Sequence, residues 1–93
     1  MTLYKIEYLK EAKEDLLKLK LSGEKQILKR IRLFIEEMKI HPKRGKGKPK
    51  KVPFRGLKLW SRRITDKHRI IYDIKDNIVT VTVIKIGGHY DDK

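Results

Sequence analysis

The stretch that decides the fold is residues 57–86, LKLWSRRITDKHRIIYDIKDNIVTVTVIKI. Three of its segments either alternate apolar and polar side chains or are rich in β-branched residues: 57–64, 68–74 and 78–86. Both patterns are typical of β-strands, and the short polar breaks between the segments are typical of tight turns. The stretch therefore predicts three antiparallel strands connected in sequence.

The residues before this stretch predict one more strand and two helices. Residues 2–8 alternate as a strand does, and from Lys10 to Lys20 apolar residues recur at three- and four-residue steps. Ser22-Gly23 breaks this helix, a second apolar stripe continues to Lys39, and the glycine- and proline-rich residues 41–53 predict an exposed loop. The prediction is an α+β fold in one domain, residues 1–93, of order β-α-α-β-β-β. Both helices pack on one face of a small, twisted, mainly antiparallel sheet.

Positive charge is concentrated in the middle of the chain. The sequence has 25 Lys and Arg and 12 Asp and Glu, a formal net charge of +13. Residues 39–69 hold thirteen Lys and Arg but only one acid, Asp66, which is a net of +12. A solvated surface is one interpretation, but a basic stretch interrupted by Phe54 and Trp60 favours a nucleic-acid backbone as the partner.

Several kinds of site and location are excluded by composition. The chain has no cysteine, and its three histidines are far apart in sequence, so we expect no metal site and no cofactor. No stretch approaches the ~20 apolar residues of a membrane span, and acidic residues interrupt the N-terminal region where a signal peptide would be apolar. We expect a cytoplasmic protein that does not bind membranes.

The remaining Arg, Lys and His residues suit the cleavage of RNA by its own 2′-hydroxyl. That reaction needs a proton acceptor for the hydroxyl, a proton donor for the departing 5′-oxygen, and a cation beside the phosphate. Arg63 and Arg69 fall on adjacent predicted strands, and His89 follows the last strand. The alternative interpretation is that Arg63 is an exposed edge charge and His89 lies in a frayed tail.

Four motifs carry a resemblance to a known family: GKGKP at 45–49, LWSRRIT at 59–65, HRIIY at 68–72 and HY at 89–90. They strongly resemble the Txe/YoeB toxins of type II toxin–antitoxin modules, within the RelE/ParE superfamily. The resemblance covers the whole chain in length and element order. It implies a ribosome-dependent endoribonuclease that cuts mRNA in the ribosomal A site, inhibits translation, and is silenced by a small acidic antitoxin. It also allows a homodimer.

The resemblance assigns roles by position. Arg69 matches the arginine that stabilises the transition-state phosphate, His89 the general acid, and Tyr90 the tyrosine beside it. Lys50 stands where the family usually has a glutamate base; lysine can act as a base only when neutral, so it takes either the base or the phosphate-binding role. The basic residues expected to contact RNA are Lys46, Lys48, Lys51, Arg55, Arg62 and Arg63.

Three other functions are alternatives, and the sequence argues against the second and the third. The loss of the glutamate at Lys50 favours a non-catalytic ribosome- or RNA-binding module of the same fold. A ParE-like toxin acting on a topoisomerase would lack the terminal pair His89-Tyr90. A basic structural protein of the ribosome would not need the motifs at 59–65 and 68–72.

Overall fold

The computed structural model describes residues 3–88. The two helices are α1 (Lys10–Leu21) and α2 (Lys25–Met38). The five strands are β1 (Lys5–Tyr8), β2 (Lys50–Phe54), β3 (Leu57–Arg63), β4 (His68–Lys75) and β5 (Thr80–Gly88). A short 3-10 turn, Asp76–Ile78, precedes β5.

The strands form one sheet in the order β1-β5-β4-β3-β2. β1 is parallel to β5, and every other pair of neighbours is antiparallel. β1 and β5 can be parallel because no tight turn joins them: two helices and three strands lie between them in the chain. Strands β2 to β5 follow one another through short turns, and strands joined in this way are antiparallel. The predicted α+β class with a mainly antiparallel sheet is confirmed.

The main core lies between the helices and one face of the sheet, which we call the helix face. α2 buries Ile31, Phe34, Ile35 and Met38 in this core, and Ala12 of α1 is also fully buried. The strand residues in the same core are Ile64, Ile70, Tyr72, Val81, Val83 and Ile86. We call the opposite face the open face; it carries a smaller buried cluster of Phe54, Leu59 and Ile71.

Strand β2 lies where the sequence predicts a loop that continues through residue 53. Its residues Lys50–Phe54 include only two large apolar side chains, and Pro53 reads as a strand breaker. A proline is tolerated on an edge strand because one side of that strand has no ladder to complete. β2 is such an edge strand, and it pairs only with β3.

The turn predicted between the segments 68–74 and 78–86 is also longer than expected. The chain makes a 3-10 turn through Ile78, and Val79 then adopts a left-handed conformation with φ of 48°. β5 therefore begins at Thr80 and not at residue 78.

Candidate nucleic-acid interface

Three of the predicted site residues share the open face at one end of the sheet. Lys50 pairs with Ser61, and Arg63 pairs with Arg69. Residues paired across antiparallel strands point to the same side, as do residues two apart on one strand. Lys50, Arg63 and Arg69 therefore lie together on three adjacent strands, although they are spread over twenty positions of the sequence.

The last strand brings the end of the described chain to the same place. Arg69 pairs with Gly87, and His68 pairs with Gly88. A β carbon on Gly88 would lie 2.3 Å from the carbonyl oxygen of Lys67, so only glycine lets β5 pass this close to the β3–β4 turn. The predicted catalytic residues His89 and Tyr90 follow directly, but they lie outside the described residues.

A β-bulge decides which side chains of β5 face the open side. The pairing with β4 shifts between Ile71 and Tyr72, so that Tyr72 pairs with Val83 while Ile71 pairs with Lys85. Val83 belongs to the main core, whereas Lys85 follows Ile71 onto the open face. A strict period of two could not have predicted this change.

The floor below the cations is closely packed. Phe54, Leu59 and Ile71 are buried, and Val52 and Ile84 pack against them. Ser61 lies between Lys50 and Ile71 in the register, and its buried hydroxyl has no hydrogen-bond partner within residues 3–88. The open face therefore presents positive charge above a small apolar layer.

Lys51, predicted beside Lys50 to contact RNA, lies on the other face of the sheet. It pairs with Trp60, and its Nζ lies 5.4 Å from the centroid of the Trp60 ring, a cation–π contact. Trp60 in turn stacks on Tyr72 with a centroid distance of 6.5 Å. The two adjacent lysines are thus separated by the thickness of the sheet.

Arg55 lies at the tip of the β2–β3 hairpin, at the end of β2 remote from Lys50. Arg55 and Gly56 both have positive φ, 50° and 81°, as a two-residue type I′ turn requires. The Arg55 guanidinium donates two 2.7 Å hydrogen bonds to the Glu11 carboxylate and covers the Phe54 ring. These hydrogen bonds, opposed in part by burial and aided by Lys85, lower the pKa of Glu11 to about 2. The Arg55 side chain thus joins the hairpin tip to the start of α1.

The burial of Arg62 contradicts the prediction that it contacts RNA. Its side chain is fully buried, with 0% of its surface exposed. Its guanidinium forms a 2.6 Å ion pair with Glu37 and a 3.0 Å hydrogen bond to the Tyr72 hydroxyl. It also donates to the backbone carbonyls of three loop residues: His41, Arg44 and Lys46. We call this set of residues the Arg62 cluster.

The sequence contained a signal for this burial. Alternation along 57–64 places Arg62 on the same face as Trp60 and Ile64, two apolar side chains. An arginine in such a position is expected to be paired and internal. What the sequence did not indicate was its partner Glu37, because that residue comes from α2 and is brought near only by the folded loop.

The Arg62 cluster also fixes part of the exposed loop that the sequence predicts at 41–53. The Tyr72 hydroxyl donates to the carbonyl of Pro42, and the Lys46 N–H donates to Glu37 at 2.7 Å. Burial acts to raise the pKa of Glu37, but the hydrogen bonds from Lys46 and Arg62 together hold it below its usual value. The loop backbone is therefore anchored, while the side chains of Lys46 and Lys48 remain exposed.

Within residues 3–88 there is no group of three or more His, Asp or Glu side chains that could hold a metal ion. No helix in this part of the chain is long and apolar enough to cross a membrane. The basic side chains that the open face does present, Lys50, Arg63 and Arg69, are of the two types that bind phosphate groups in proteins.

Comparison with known proteins places the chain in a family. Residues 8–90 match the model of the YoeB-like toxin of bacterial type II toxin–antitoxin systems. Toxin YoeB of Escherichia coli strain K12 is 34% identical over 67 residues, which cover 72% of this chain and 77% of the relative.

Solved structures agree with this placement. A YoeB/ParE toxin from Agrobacterium tumefaciens superposes with a TM-score of 0.82 at 27% identity, covering 92% of this chain and 99% of that one. From Staphylococcus aureus, a YoeB dimer has a TM-score of 0.80 at 25% identity, with 96% and 100% covered. A heterotetrameric YoeB–YefM toxin–antitoxin complex from the same organism has 0.76 at 26% identity, with 94% and 98% covered. The chain belongs to the YoeB-like toxins of bacterial type II toxin–antitoxin systems, as its four motifs indicated.

Proposed function

We propose that this toxin is a metal-independent, ribosome-dependent endoribonuclease that cleaves mRNA in the ribosomal A site and so inhibits translation. The observation that carries the proposal is the convergence of Lys50, Arg63 and Arg69 on the open face, where β5 leads into His89 and Tyr90. Translation takes place in the cytoplasm, so this is where we expect the protein to act.

The proposed reaction is attack of a ribose 2′-oxygen on the adjacent phosphorus, with release of the 5′-oxygen of the next nucleotide. Arg69 and Arg63 stabilise the additional negative charge that develops on the phosphate, since a guanidinium can donate to two oxygens at once. His89 gives a proton to the departing 5′-oxygen, and Tyr90 orients the substrate beside it. The proton of the 2′-hydroxyl leaves to Lys50 when Lys50 is neutral, and to solvent when Lys50 acts only as a phosphate-binding cation.

We further propose that the cognate partner is a small acidic antitoxin that covers the open face. The relative from S. aureus has been solved as a YoeB–YefM toxin–antitoxin complex. The net charge of +12 on residues 39–69 would accelerate association with an acidic segment. A homodimer of the toxin is a second assembly that fits the YoeB dimer of the same organism.

The test of the cleavage reaction is 5′-end mapping of a translated mRNA incubated with purified protein, with and without ribosomes. We expect discrete cuts in register with the reading frame and only when ribosomes are present. Replacement of His89 by Gln should abolish these cuts and leave ribosome binding intact. Cleavage by the His89→Gln variant at the parental rate would refute the assignment.

Lys50 and Lys51 provide a matched pair of variants. Both are exposed lysines next to each other in β2, but only Lys50 lies on the open face. We expect Lys50→Gln to slow cleavage strongly and Lys51→Gln to have little effect on it. If Lys50 is the base, the parental rate should keep rising above neutral pH, and a rate that falls between pH 7 and 9 in the folded protein would contradict that role.

The second candidate function is a ribosome-binding protein that does not cleave RNA. The specific observation that favours it is the lysine at position 50, where the family usually has a glutamate. The same mapping experiment decides between the two, since ribosome binding without cuts would establish the non-catalytic function.

A further inference from the structure

A cavity of about 400 Å³ lies next to the open face, between α2, the loop at 46–48 and the β3–β4 turn. Four cationic residues line it: Arg30, Lys46, Lys48 and Arg63. Arg30 projects from α2, which packs on the helix face, whereas Arg63 also belongs to the open face. The cavity therefore begins beside the proposed catalytic residues and extends around the end of the sheet.

The four cations of this cavity are not held in ion pairs in the part of the chain that the structure describes, although the charge of Lys46 acts on Glu37 and helps to lower its pKa. Within residues 3–88, the only acid that lines the cavity is Asp66. Cations elsewhere on the molecule do pair with carboxylates: Lys43 pairs with Asp76, and Arg55 with Glu11. Bringing unpaired like charges together is unfavourable unless an anion neutralises them.

The wall of the cavity is built by backbone that cannot easily move. Gly47 has a φ of 82°, and a β carbon there would lie 2.7 Å from both the Phe34 ring and the Arg63 carbonyl oxygen. The Gly47 carbonyl accepts a 2.8 Å hydrogen bond from the Arg63 N–H. Because hydrogen bonds to Arg62, Glu37 and Arg63 hold the backbone at 46–47, the points from which the lysine side chains extend are fixed before any ligand arrives, which reduces the entropic cost of binding.

We propose that this cavity binds a backbone phosphate of RNA outside the nucleotides that react on the open face. Arg30 contacts this phosphate together with Lys46 and Lys48, and Arg63 connects it to the catalytic residues. Arg30 had not been predicted as an RNA contact, because it lies outside the basic segment 39–69. The inference rests on the proposed function for the direction of the RNA, but phosphate binding itself can be tested without cleavage.

The test compares Arg30→Gln with Lys29→Gln. Both residues are exposed on α2 and both changes remove one positive charge, but Lys29 does not line the cavity. The probe is a short single-stranded 2′-O-methyl RNA, which cannot be cleaved because its nucleophile is blocked. Its affinity is measured by fluorescence anisotropy over a series of KCl concentrations, and the same variants are tested for co-sedimentation with ribosomes.

We expect Arg30→Gln to weaken binding about fivefold, in the range of an exposed ion pair. The slope of log affinity against log salt should fall by about 0.7, the value for one phosphate contact on a single strand. Lys29→Gln should bind as the parent does, and Arg30→Lys should keep the parental slope. Thermal unfolding of each variant shows whether its fold is intact.

Each outcome decides the inference. Loss of affinity for the free RNA assigns the phosphate to the message, and loss for ribosomes alone assigns it to ribosomal RNA; both support the site. An equal loss of affinity in Arg30→Gln and Lys29→Gln would show that only the overall positive charge of the protein matters, and it would overturn the proposal. Unchanged affinity in both variants would overturn it as well. Arg30-dependent binding by a parent protein that never cleaves mRNA would refute the proposed function and leave this site standing.

Discussion

Replacement of Arg62 by Gln should lower the free energy of unfolding of the toxin more than the removal of any other single charge in β3. Arg62 is fully buried and donates five hydrogen bonds, to Glu37, to Tyr72 and to three carbonyls of the loop. Glutamine is too short to reach this whole set. The change would leave a partly buried carboxylate and several carbonyl groups without their donor.

The size of the expected destabilisation follows from the burial of the ion pair between Arg62 and Glu37. Removing one partner of a buried ion pair costs about 3–5 kcal/mol. We expect the lower end, about 3 kcal/mol, because the Glu37 side chain keeps 26% of its surface exposed and also retains the hydrogen bond from the Lys46 N–H. A chain of this size has a total stability of about 5–14 kcal/mol, so the loss is a large fraction of it. The melting temperature should fall by about 12 °C or more.

The assay is urea unfolding followed by the fluorescence of Trp60, which is the only tryptophan and stacks on Tyr72 beside the cluster. Lys58→Gln is the matched control, since Lys58 is an exposed cation of the same strand. A surface change of this kind should alter the free energy of unfolding by less than about 0.5 kcal/mol. If Arg62→Gln is as stable as Lys58→Gln, the structural role assigned to Arg62 is wrong.

A second measurement locates the effect in the loop. Without Arg62 the backbone at 41–48 loses the three hydrogen bonds that the carbonyls of His41, Arg44 and Lys46 accept from it. The lysines and the arginine of this loop should then become more accessible to trypsin. We expect cleavage in this loop to be faster in Arg62→Gln than in Lys58→Gln under conditions where both are folded. Equal cleavage rates would show that the loop is held by other contacts.

Three further changes test other parts of the structure. Gly88→Ala should slow the proposed mRNA cleavage about 100-fold with little loss of RNA affinity, because the methyl group meets the Lys67 carbonyl and displaces the end of β5, which precedes the proposed catalytic residues in the sequence. Tyr72→Phe should lower the free energy of unfolding by about 1–3 kcal/mol in urea titrations, since it leaves the Pro42 carbonyl and Arg62 with one partner fewer. Glu11→Gln should reduce the loss of stability in acid. The pKa of Glu11 is depressed from 4.5 to about 2 in the folded state, so its contribution is present above pH 4.5 and is lost as the pH falls towards 2.

Glu14→Gln, an exposed position on the same helix as Glu11, should keep the parental acid dependence. An unchanged dependence in Glu11→Gln as well would contradict the role of its ion pair with Arg55. For Gly88→Ala, parental cleavage would mean that the chain tolerates the contact, and for Tyr72→Phe, parental stability would mean that water replaces the lost hydroxyl.

The elements with a clear period were predictable because their signal is local. The stripe on α2 and the alternation along β3 and β4 reflect side chains meeting one core, and each can be read within a dozen residues. β2 carried no such signal, since an edge strand has only one neighbour and exposes most of its side chains. Its existence depends on β3, which lies later in the chain.

The candidate site, too, was predictable from the sequence only in part. The sequence by itself determined the charge of the middle third, and its motifs, through their resemblance to the family, predict that Arg69 meets the phosphate. Only the tertiary structure decided that Lys50 and Lys51 lie on opposite faces and that Glu37 is the partner of the buried Arg62. It also brought Arg30 of α2 to the loop at 46–48. Strand register and a close approach between distant segments set these relations, and neither is encoded in the spacing of residues along the chain.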